Sequence, residues 1–328
     1  MKIFVTRKFP GTALERLNSL GYEVSVSEFD RPLTSDELLE MGKGVDALLT
    51  LLTDKIDGKV VDVLGPQLKI VSNYAVGFDN INVVDLTERG VVVTNTPSEE
   101  VNEAVAEHTW ALILALARRV VEADESVKRG AYSGWEPSIF LGKNLDGKTL
   151  GIIGLGRIGR MVAERAKGWN MRVLYNKRTR DEEVERSCGV EFVHLDKLLA
   201  ESDFVTLHVP LTPETTHMMK KDTFAMMKRG AFLINTARGP VVDEHDLVSA
   251  LREGILGGAA LDVFETEPNV NPELIGMENV ILTPHIASAT WEAREKMGNQ
   301  AVDAIIDALN NKKPENLVNE DVWEKRRR

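Results

Sequence analysis

One glycine-rich segment near the middle of the chain constrains the fold more than any other feature. It consists of Gly154, Leu155, Gly156, Arg157, Ile158 and Gly159, and it lies between an apolar run, 149–153, and a helical pattern, 157–169. A strand, a tight turn and a helix in this order bind the pyrophosphate of a dinucleotide, because the glycines permit the turn, the approach of the phosphates and close packing. The segment therefore predicts a dinucleotide-binding unit, and about 150 residues of other structure come before it.

The composition restricts the class of protein. A length of 328 residues favours two domains, and a net charge of −11 argues against a nucleic acid or an anionic membrane as partner. The single cysteine, Cys188, cannot form an internal disulfide, which is typical of the reducing cytoplasm. We expect no signal peptide, no membrane-spanning helix and no metal site, and we expect the basic end, 325–328, to be solvated.

Apolar runs alternate with helical patterns from about residue 149 to residue 284. Strands that alternate with helices of this length predict βαβ units, and hence a parallel sheet covered on both faces. The predicted strands are 150–153, 171–175, 191–193, 204–209, 231–235, 259–263 and 280–283.

The first hundred residues repeat this alternation at a smaller scale. The predicted strands there are 2–6, 24–27, 47–50, 69–72 and 91–94. A long helix is predicted over 98–129, buried because its segment 110–117 is apolar all round, and a second over about 290–310.

The fold class is therefore α/β, with two Rossmann-like or flavodoxin-like domains, each built on a doubly wound parallel sheet. We predict a dinucleotide-binding domain, 99–286, inserted into a substrate domain that consists of 1–98 and 287–328.

Three polar residues follow predicted strands of the cofactor domain: Arg238, Glu267 and His285. Because ligands bind at the carboxyl ends of the strands in such sheets, we expect the three side chains to share one crevice. Hydride reduction of a ketone leaves an alkoxide, which a histidine can protonate near neutral pH. A carboxylate would orient that imidazole, and an arginine would bind a substrate carboxylate through paired hydrogen bonds.

The other histidines fit this chemistry less well. His108 lies inside the predicted long helix, and His208, on the strand that leads to Val209, is expected to be packed. Each of the three chosen residues also has a structural interpretation when it is taken alone, and only their shared position at strand ends favours catalysis.

The chain resembles a known family over essentially its whole length. The most specific segments of this resemblance are 154–159, 226–239, 257–268 and 282–287. With them the chain resembles the D-isomer-specific 2-hydroxyacid dehydrogenases. The resemblance implies that Arg238 binds substrate, that His285 donates the proton and that Glu267 pairs with it. It also implies cofactor contacts along the glycine segment and at Val209, Pro210, Thr236, Ala237, Asp262 and Ala287.

Within that family the chain is most similar to the glyoxylate and hydroxypyruvate reductases, through the segments 73–81, 93–97, 135–137 and 140–142. This resemblance implies that the amides of Val76 and Gly77 bind the substrate carboxylate and that Leu52 limits the substrate's size. It also implies a homodimer in which Trp135 reaches the neighbouring subunit's site. Ile139 departs from the pattern, because relatives often carry a tryptophan there.

The residues after the second strand of the cofactor domain bear on the choice of nicotinamide cofactor. An NAD site usually carries an acidic residue there, whereas this chain has Lys177, Arg178 and Thr179. Cations would attract the 2′-phosphate of NADP(H), which we therefore expect to be preferred, with NAD(H) possible. The alternative is a solvated run of charges.

Other functions fit parts of the sequence. A broader D-2-hydroxyacid dehydrogenase or a 3-phosphoglycerate dehydrogenase would use the same three residues, but the segment 73–81 offers no basic side chain for a phosphate. A dinucleotide-sensing scaffold that resembles the corepressors of this family would not need all three.

Overall fold

The computed structural model describes residues 1–327 as two sets of parallel strands connected by helices. The strands are β1 Lys2–Val5, β2 Glu23–Val26, β3 Ala47–Leu51, β4 Ile70–Tyr74, β5 Val92–Thr94, β6 Thr149–Ile153, β7 Arg172–Asn176, β8 Glu191–Phe192, β9 Phe204–Leu207, β10 Ala231–Asn235, β11 Leu256–Leu261 and β12 Val280–Leu282. The helices are α1 Ala13–Ser19, α2 Ser35–Met41, α3 Gly58–Leu64, α4 Val83–Glu88, α5 Glu99–Arg118, α6 Val120–Lys128, α7 Arg157–Ala166, α8 Glu182–Cys188, α9 Leu195–Glu201, α10 Lys221–Met226, α11 Glu244–Arg252, α12 Pro272–Ile275 and α13 Trp291–Leu309.

The chain divides into two compact units. The first consists of Met1–Val101 together with Ala289–Arg328, and the second of Asn102–Ser288. The predicted domain limits lie within a few residues of these. The assignment of substrate to one unit and cofactor to the other stays a prediction.

A five-stranded sheet with the order β2-β1-β3-β4-β5 forms the centre of the first unit. Strand β4 is buried along its whole length, because helix α13 packs on it. Two hydrogen bonds fix this contact: the Ser72 hydroxyl donates to the Ala301 carbonyl at 3.0 Å, and the Tyr74 hydroxyl donates to the Arg294 carbonyl at 2.8 Å. The Thr290 side chain accepts the Ala293 N–H at 3.2 Å and so defines where α13 begins.

The second unit is built on a seven-stranded sheet with the order β12-β11-β10-β9-β6-β7-β8. Strand β10 shows why it is covered on both faces: Ala231 and Leu233 belong to one hydrophobic core, and Phe232 and Ile234 to the other. The strand order reverses between β6 and β9, and ligands of doubly wound sheets bind outside the carboxyl ends of the strands at such a point.

The predicted fold class is confirmed. All pairings between the named strands are parallel, and each predicted strand overlaps an observed strand, with ends that differ by no more than three residues. The predicted helix over 290–310 is α13. Because buried strands and amphipathic helices differ in the period of their apolar residues, the sequence pattern is sufficient at this level.

One predicted helix, 98–129, is wrong as a single element. The structure has α5 and α6, separated by Arg119, which takes a left-handed conformation with φ of 55°. The Ala117 carbonyl accepts the N–H of Lys143 at 2.8 Å instead of continuing the helix. The helix α5 is also not buried all round, since Ala111 and Arg118 lie on an exposed stripe.

The prediction of a solvated C-terminal segment is also wrong for the described residues. Arg327 donates from its guanidinium to the carbonyls of Arg89 at 2.8 Å and Gly65 at 2.9 Å. Its own N–H donates to the Gly90 carbonyl at 2.8 Å. The segment is therefore docked on the first unit, and Arg328 lies outside the described residues.

Within residues 1–327 no helix combines the length and apolarity needed to cross a membrane. The same residues contain no group of three or more His, Cys, Asp or Glu side chains arranged to hold a metal ion. Cys188 is a free, buried thiol.

Candidate active site

The glycine segment forms a tight turn between β6 and α7. Gly154 has φ of +99°, and a Cβ there would meet the His208 carbonyl oxygen at 2.5 Å. A Cβ on Gly159 would overlap the Gly154 carbonyl oxygen. Glycine is required at both positions because any side chain would push the strand, the turn and the helix apart.

The second glycine of the segment, Gly156, has a different environment. A Cβ on Gly156 would meet no atom within 4 Å, so this backbone faces open space at the start of α7. Helix α7 presents N–H groups and the positive end of its dipole at the same place, which suits an anion. Leu155 is fully buried and its side chain belongs to a hydrophobic core of the second unit. Val209 and Pro210 follow β9 at the reversal of strand order.

The cationic side chains that follow β7 differ in whether carboxylates of the protein bind them. Arg180 makes two hydrogen bonds to Glu185, at 2.8 and 2.7 Å, and these lower the pKa of Glu185 to about 2. Lys177 lies 3.3 Å from Asp181. Within residues 1–327 no ion pair or side-chain hydrogen bond engages Arg178, which is exposed.

The Asp181 carboxylate is engaged as well. It accepts the Val184 N–H at 3.3 Å as the N-cap of α8, and it also accepts a hydrogen bond from Arg160 at 2.5 Å. The N–H of Val184, Lys177 and Arg160 together hold the pKa of Asp181 below its ordinary value.

The strand ends of the second unit bring His285 and Glu267 into contact. The His285 Nδ1 lies 2.9 Å from the Glu267 Oε2, and the other oxygen of Glu267 accepts the Phe264 N–H at 3.1 Å. Burial alone would raise the pKa of Glu267, but the hydrogen bond from His285 and the charge of Arg238 outweigh it and lower that pKa. Glu267 is therefore ionised at neutral pH and accepts a hydrogen bond from the imidazole.

Arg238 follows β10 in an extended conformation beside this pair. Its Nη1 donates to the Ala237 carbonyl at 2.7 Å, and its own carbonyl accepts from the Asn235 side chain at 2.9 Å. The next residue, Gly239, abuts the segment that leads to Glu267, since a Cβ there would overlap the Phe264 carbonyl group. Glycine therefore fixes the spacing between the arginine and the carboxylate.

Asp262 holds the loop that carries His285. Its carboxylate accepts the N–H groups of Ile286 at 2.9 Å and Ala287 at 2.8 Å, and the hydroxyl of Thr283 at 2.6 Å. Although burial raises its pKa, the hydrogen bonds lower it overall. Asp262 is fully buried in this structure, so its side chain acts here by fixing the backbone around His285.

Sequence reasoning missed the part that His108 plays. Its Nε2 lies 3.2 Å from the Thr283 hydroxyl and 3.4 Å from the Asp262 carboxylate. Because His108 is 175 residues from Thr283 in the sequence, the sequence alone did not indicate this contact. His208, by contrast, is half-buried with its Nε2 3.0 Å from the Thr206 hydroxyl, and burial lowers its pKa to about 3.

A second group that the sequence did not reveal lies just before Glu267. Glu265 and Glu244 exchange hydrogen bonds, since the N–H of each donates to the carboxylate of the other, at 2.8 and 3.2 Å. The His217 Nε2 lies 2.8 Å from the Glu265 carboxylate. These contacts fix the segment that places Glu267.

In the first unit, the predicted substrate residues follow neighbouring strands. Leu52 comes directly after β3, and Val76 and Gly77 lie in the loop after β4. The paired register of Leu51 with Tyr74 sets these two segments side by side. Thr236 and Ala237, which follow β10 in the second unit, are both buried.

A glycine turn at the strand-order reversal, together with a histidine–carboxylate pair at neighbouring strand ends, is typical of a nicotinamide-dependent oxidoreductase. Comparisons with known proteins specify the class. The family model described as "D-isomer specific 2-hydroxyacid dehydrogenase, NAD binding domain" matches residues 110–287. This chain belongs to the D-isomer-specific 2-hydroxyacid dehydrogenase family.

Individual relatives resemble the chain over its whole length. A glyoxylate reductase of Thermococcus onnurineus is 49% identical over 325 residues, which cover 98% of this chain and 96% of that protein. A crystal structure of a Thermus thermophilus protein matches with a TM-score of 0.90 and 42% identity, over 97% of this chain and 100% of that one. A glyoxylate reductase structure from Paecilomyes thermophila matches with a TM-score of 0.86 and 30% identity, over 98% of each chain.

The close approach at Gly239 can be tested by substitution. We expect Gly239→Ala to lower the free energy of unfolding by about 1–3 kcal/mol, because the added Cβ displaces the backbone at Phe264. The matched control is Gly276→Ala, whose Cβ would lie 3.9 Å from its nearest neighbour, and which should change the free energy by less than about 0.5 kcal/mol. Urea denaturation measures both, and equal effects of the two substitutions would contradict the prediction.

Proposed function

We propose that this enzyme reduces glyoxylate to glycolate, and hydroxypyruvate to D-glycerate, with a reduced nicotinamide cofactor. The observation that carries the proposal is the 2.9 Å contact between His285 and an ionised Glu267. The glyoxylate reductases among its relatives, which match almost the entire chain, support the choice of substrate.

The residues present fit a dinucleotide. The backbone at Gly156 is open where a pyrophosphate would lie, and the turn before it can be formed only by glycine. When bound, the reduced nicotinamide supplies the hydride that the carbonyl carbon accepts. Further cofactor contacts that we propose involve Arg157, Ile158, Val209, Pro210, Thr236, Ala237 and Ala287, with Asp262 acting through the loop that it anchors.

The side chains of the second unit supply the remaining chemistry. As the carbonyl oxygen gains negative charge, the His285 imidazolium gives it the proton that completes the alcohol. Glu267 stabilises the charged imidazole and fixes its orientation. The Arg238 guanidinium binds the substrate carboxylate and polarises the carbonyl.

The first unit contributes to substrate recognition in this proposal. The amide groups of Val76 and Gly77 bind the carboxylate, and Leu52 limits the size of the group beyond the carbonyl. The group beyond the carbonyl is a hydrogen atom in glyoxylate and a hydroxymethyl group in hydroxypyruvate, and both are small enough for this position.

The proposed cofactor preference is NADP(H). Arg178 is exposed and outside any ion pair of residues 1–327, so its guanidinium is available to a 2′-phosphate. Lys177 and Thr179 flank it, whereas Arg180 is already held by two hydrogen bonds to a glutamate.

We further propose that the protein is a cytoplasmic homodimer. Large apolar side chains are exposed on and after α6, which contains no buried residue. They include Val127, Tyr132, Trp135 and Leu141, and Trp135 is 83% exposed. A patch of this kind is typical of an interface, and a second copy of the chain would cover it. The single cysteine supports the cytoplasmic location.

The primary test is glyoxylate-dependent oxidation of NADPH by the purified protein, together with His285→Gln. This substitution removes the proton donor, so we expect kcat to fall by about 100- to 10,000-fold while the affinity for NADPH stays unchanged. Turnover comes from stopped-flow absorbance and affinity from fluorescence titration. Cofactor binding without turnover in the unmodified protein would favour a dinucleotide-sensing scaffold instead.

The pairing of His285 with Glu267 predicts a loss of turnover when the carboxylate is removed. Because Glu267→Gln removes the charged acceptor that orients the imidazole, we expect kcat/KM for glyoxylate to fall about 10- to 100-fold. The control is Glu278→Gln, an exposed glutamate of the same unit. An unchanged kcat/KM for the first variant would exclude Glu267 from this function.

The proposed role of Arg178 predicts a change in cofactor preference. We expect Arg178→Gln to raise KM for NADPH about tenfold and to leave KM for NADH nearly unchanged, since only NADPH carries the 2′-phosphate. Arg186→Gln, which removes the same charge from an exposed position on α8, is the control. A parallel rise for both cofactors would remove Arg178 from the phosphate site.

A further inference from the structure

The loop after β4 in the first unit has its carbonyl groups bound by the segment that follows β5. The Ala75 carbonyl accepts the N–H of Thr96 at 2.9 Å. The next carbonyl, that of Val76, accepts a hydrogen bond from the Asn95 side-chain amide at 2.7 Å. Asn95 and Thr96, which follow β5, thus bind the carbonyls of Val76 and Ala75, which follow the neighbouring strand β4.

The third carbonyl of the loop is bound from β4 itself. The Asn73 side-chain amide donates to the Gly77 carbonyl at 2.9 Å. Asn73 is fully buried, and its Oδ1 accepts the Thr50 hydroxyl at 3.1 Å. Its Nδ2 also lies 3.1 Å from the Oδ1 of Asn80. This amide therefore has little freedom to rotate away from the loop.

These three bonds determine where the N–H groups point. In a trans peptide the carbonyl of one residue and the N–H of the next point in opposite directions. With three successive carbonyls held by the body of the unit, the N–H groups of Val76, Gly77 and Phe78 point away from it. Within residues 1–327 none of these three N–H groups donates a hydrogen bond to a protein acceptor. Successive N–H groups that converge in this way attract an anion.

We propose that Asn95 and Asn73 are positioning residues for the substrate carboxylate, and that the N–H of Phe78 is a third donor to it. This inference rests on the proposed function, because it concerns the same carboxylate. Each asparagine donates a hydrogen bond to a loop carbonyl and so fixes the orientation of that peptide plane. The N–H on the opposite side of the same plane then points toward the proposed carboxylate position. Because these donors are already oriented, the loop does not have to rearrange when the substrate binds. The asparagines therefore increase the affinity for the substrate acid.

The same network reaches the turn that contains Leu52. The Asn80 side-chain amide donates to the carbonyls of Leu51 at 3.2 Å and Asp54 at 2.9 Å. The Asp54 carboxylate in turn accepts the Leu51 N–H at 2.8 Å. The residue proposed to limit substrate size and the amides proposed to bind the carboxylate are thus held by one set of asparagines.

The experiment compares Asn95→Asp with Asn95→Ala in the full-length enzyme. Aspartate keeps the shape but has no N–H to donate, and it adds a charge that repels a carboxylate, whereas alanine only removes the donor. We expect KM for glyoxylate to rise about tenfold in the aspartate variant and less in the alanine variant, with kcat changed by less than about threefold. The affinity for NADPH should stay unchanged in both.

The matched control is Asn310→Asp. The Asn310 side-chain amide also donates to a backbone carbonyl of the first unit, that of Ile306 at 2.8 Å, but at the C-terminal cap of α13. This variant loses the same kind of bond and adds the same charge, and its KM should equal that of the unmodified enzyme. If the Asn95 variants show the KM of the control, or lose kcat and thermal stability without a rise in KM, the inference is wrong.

Calorimetric titration with oxalate, a dicarboxylate that undergoes no reduction, separates this inference from the proposed function. In the presence of NADPH, we expect the aspartate variant to bind oxalate about tenfold more weakly than the unmodified protein, and the alanine variant to show a smaller loss of affinity. If the unmodified protein binds oxalate but does not reduce glyoxylate, the proposed function fails while the role of the asparagines stands. If oxalate binds equally to all variants, the role of the asparagines fails.

Discussion

The hydrogen bonds of the buried Asp262 carboxylate are the interactions on which the arrangement of the groups proposed for catalysis depends. A carboxylate without water around it is costly unless hydrogen bonds satisfy it, and here two backbone N–H groups and the Thr283 hydroxyl do so. His285 lies between these contacts with φ of 54°, a conformation that an unsupported histidine rarely adopts. These hydrogen bonds stabilise the loop in the arrangement that brings the imidazole to within 2.9 Å of Glu267.

Much of this architecture could be predicted from the sequence because it follows from local patterns. The period of the apolar residues identified the strands and helices, and the three glycines identified the turn before α7. The strand ends indicated where Arg238 and His285 would lie. Each of these inferences uses residues that are close in sequence, or a rule that holds for every doubly wound sheet.

The remainder depends on contacts between distant residues, for which a single sequence carries no signal. The break at Arg119 follows from the bond between the Ala117 carbonyl and Lys143, and the docking of Arg327 follows from the carbonyls of the first unit. Likewise, the cations near the end of β7 look alike in the sequence. Only coordinates distinguish Arg178, which is exposed, from Arg180, which is held by a carboxylate.

An acidic chain that binds anions must create positive potential locally. The net charge of −11 repels a dinucleotide and a keto acid at long range, but salt at physiological strength screens charges beyond about 8 Å. Within that distance, the N–H groups that we propose to bind these anions, at Gly156 and in the loop around Gly77, add no titratable charge. The cationic side chains proposed for the site, Arg238 and Arg178, add to these N–H groups at the substrate carboxylate and at the 2′-phosphate. Anion recognition is in this proposal separate from proton transfer, because neither a backbone N–H group nor a guanidinium changes its charge near neutral pH.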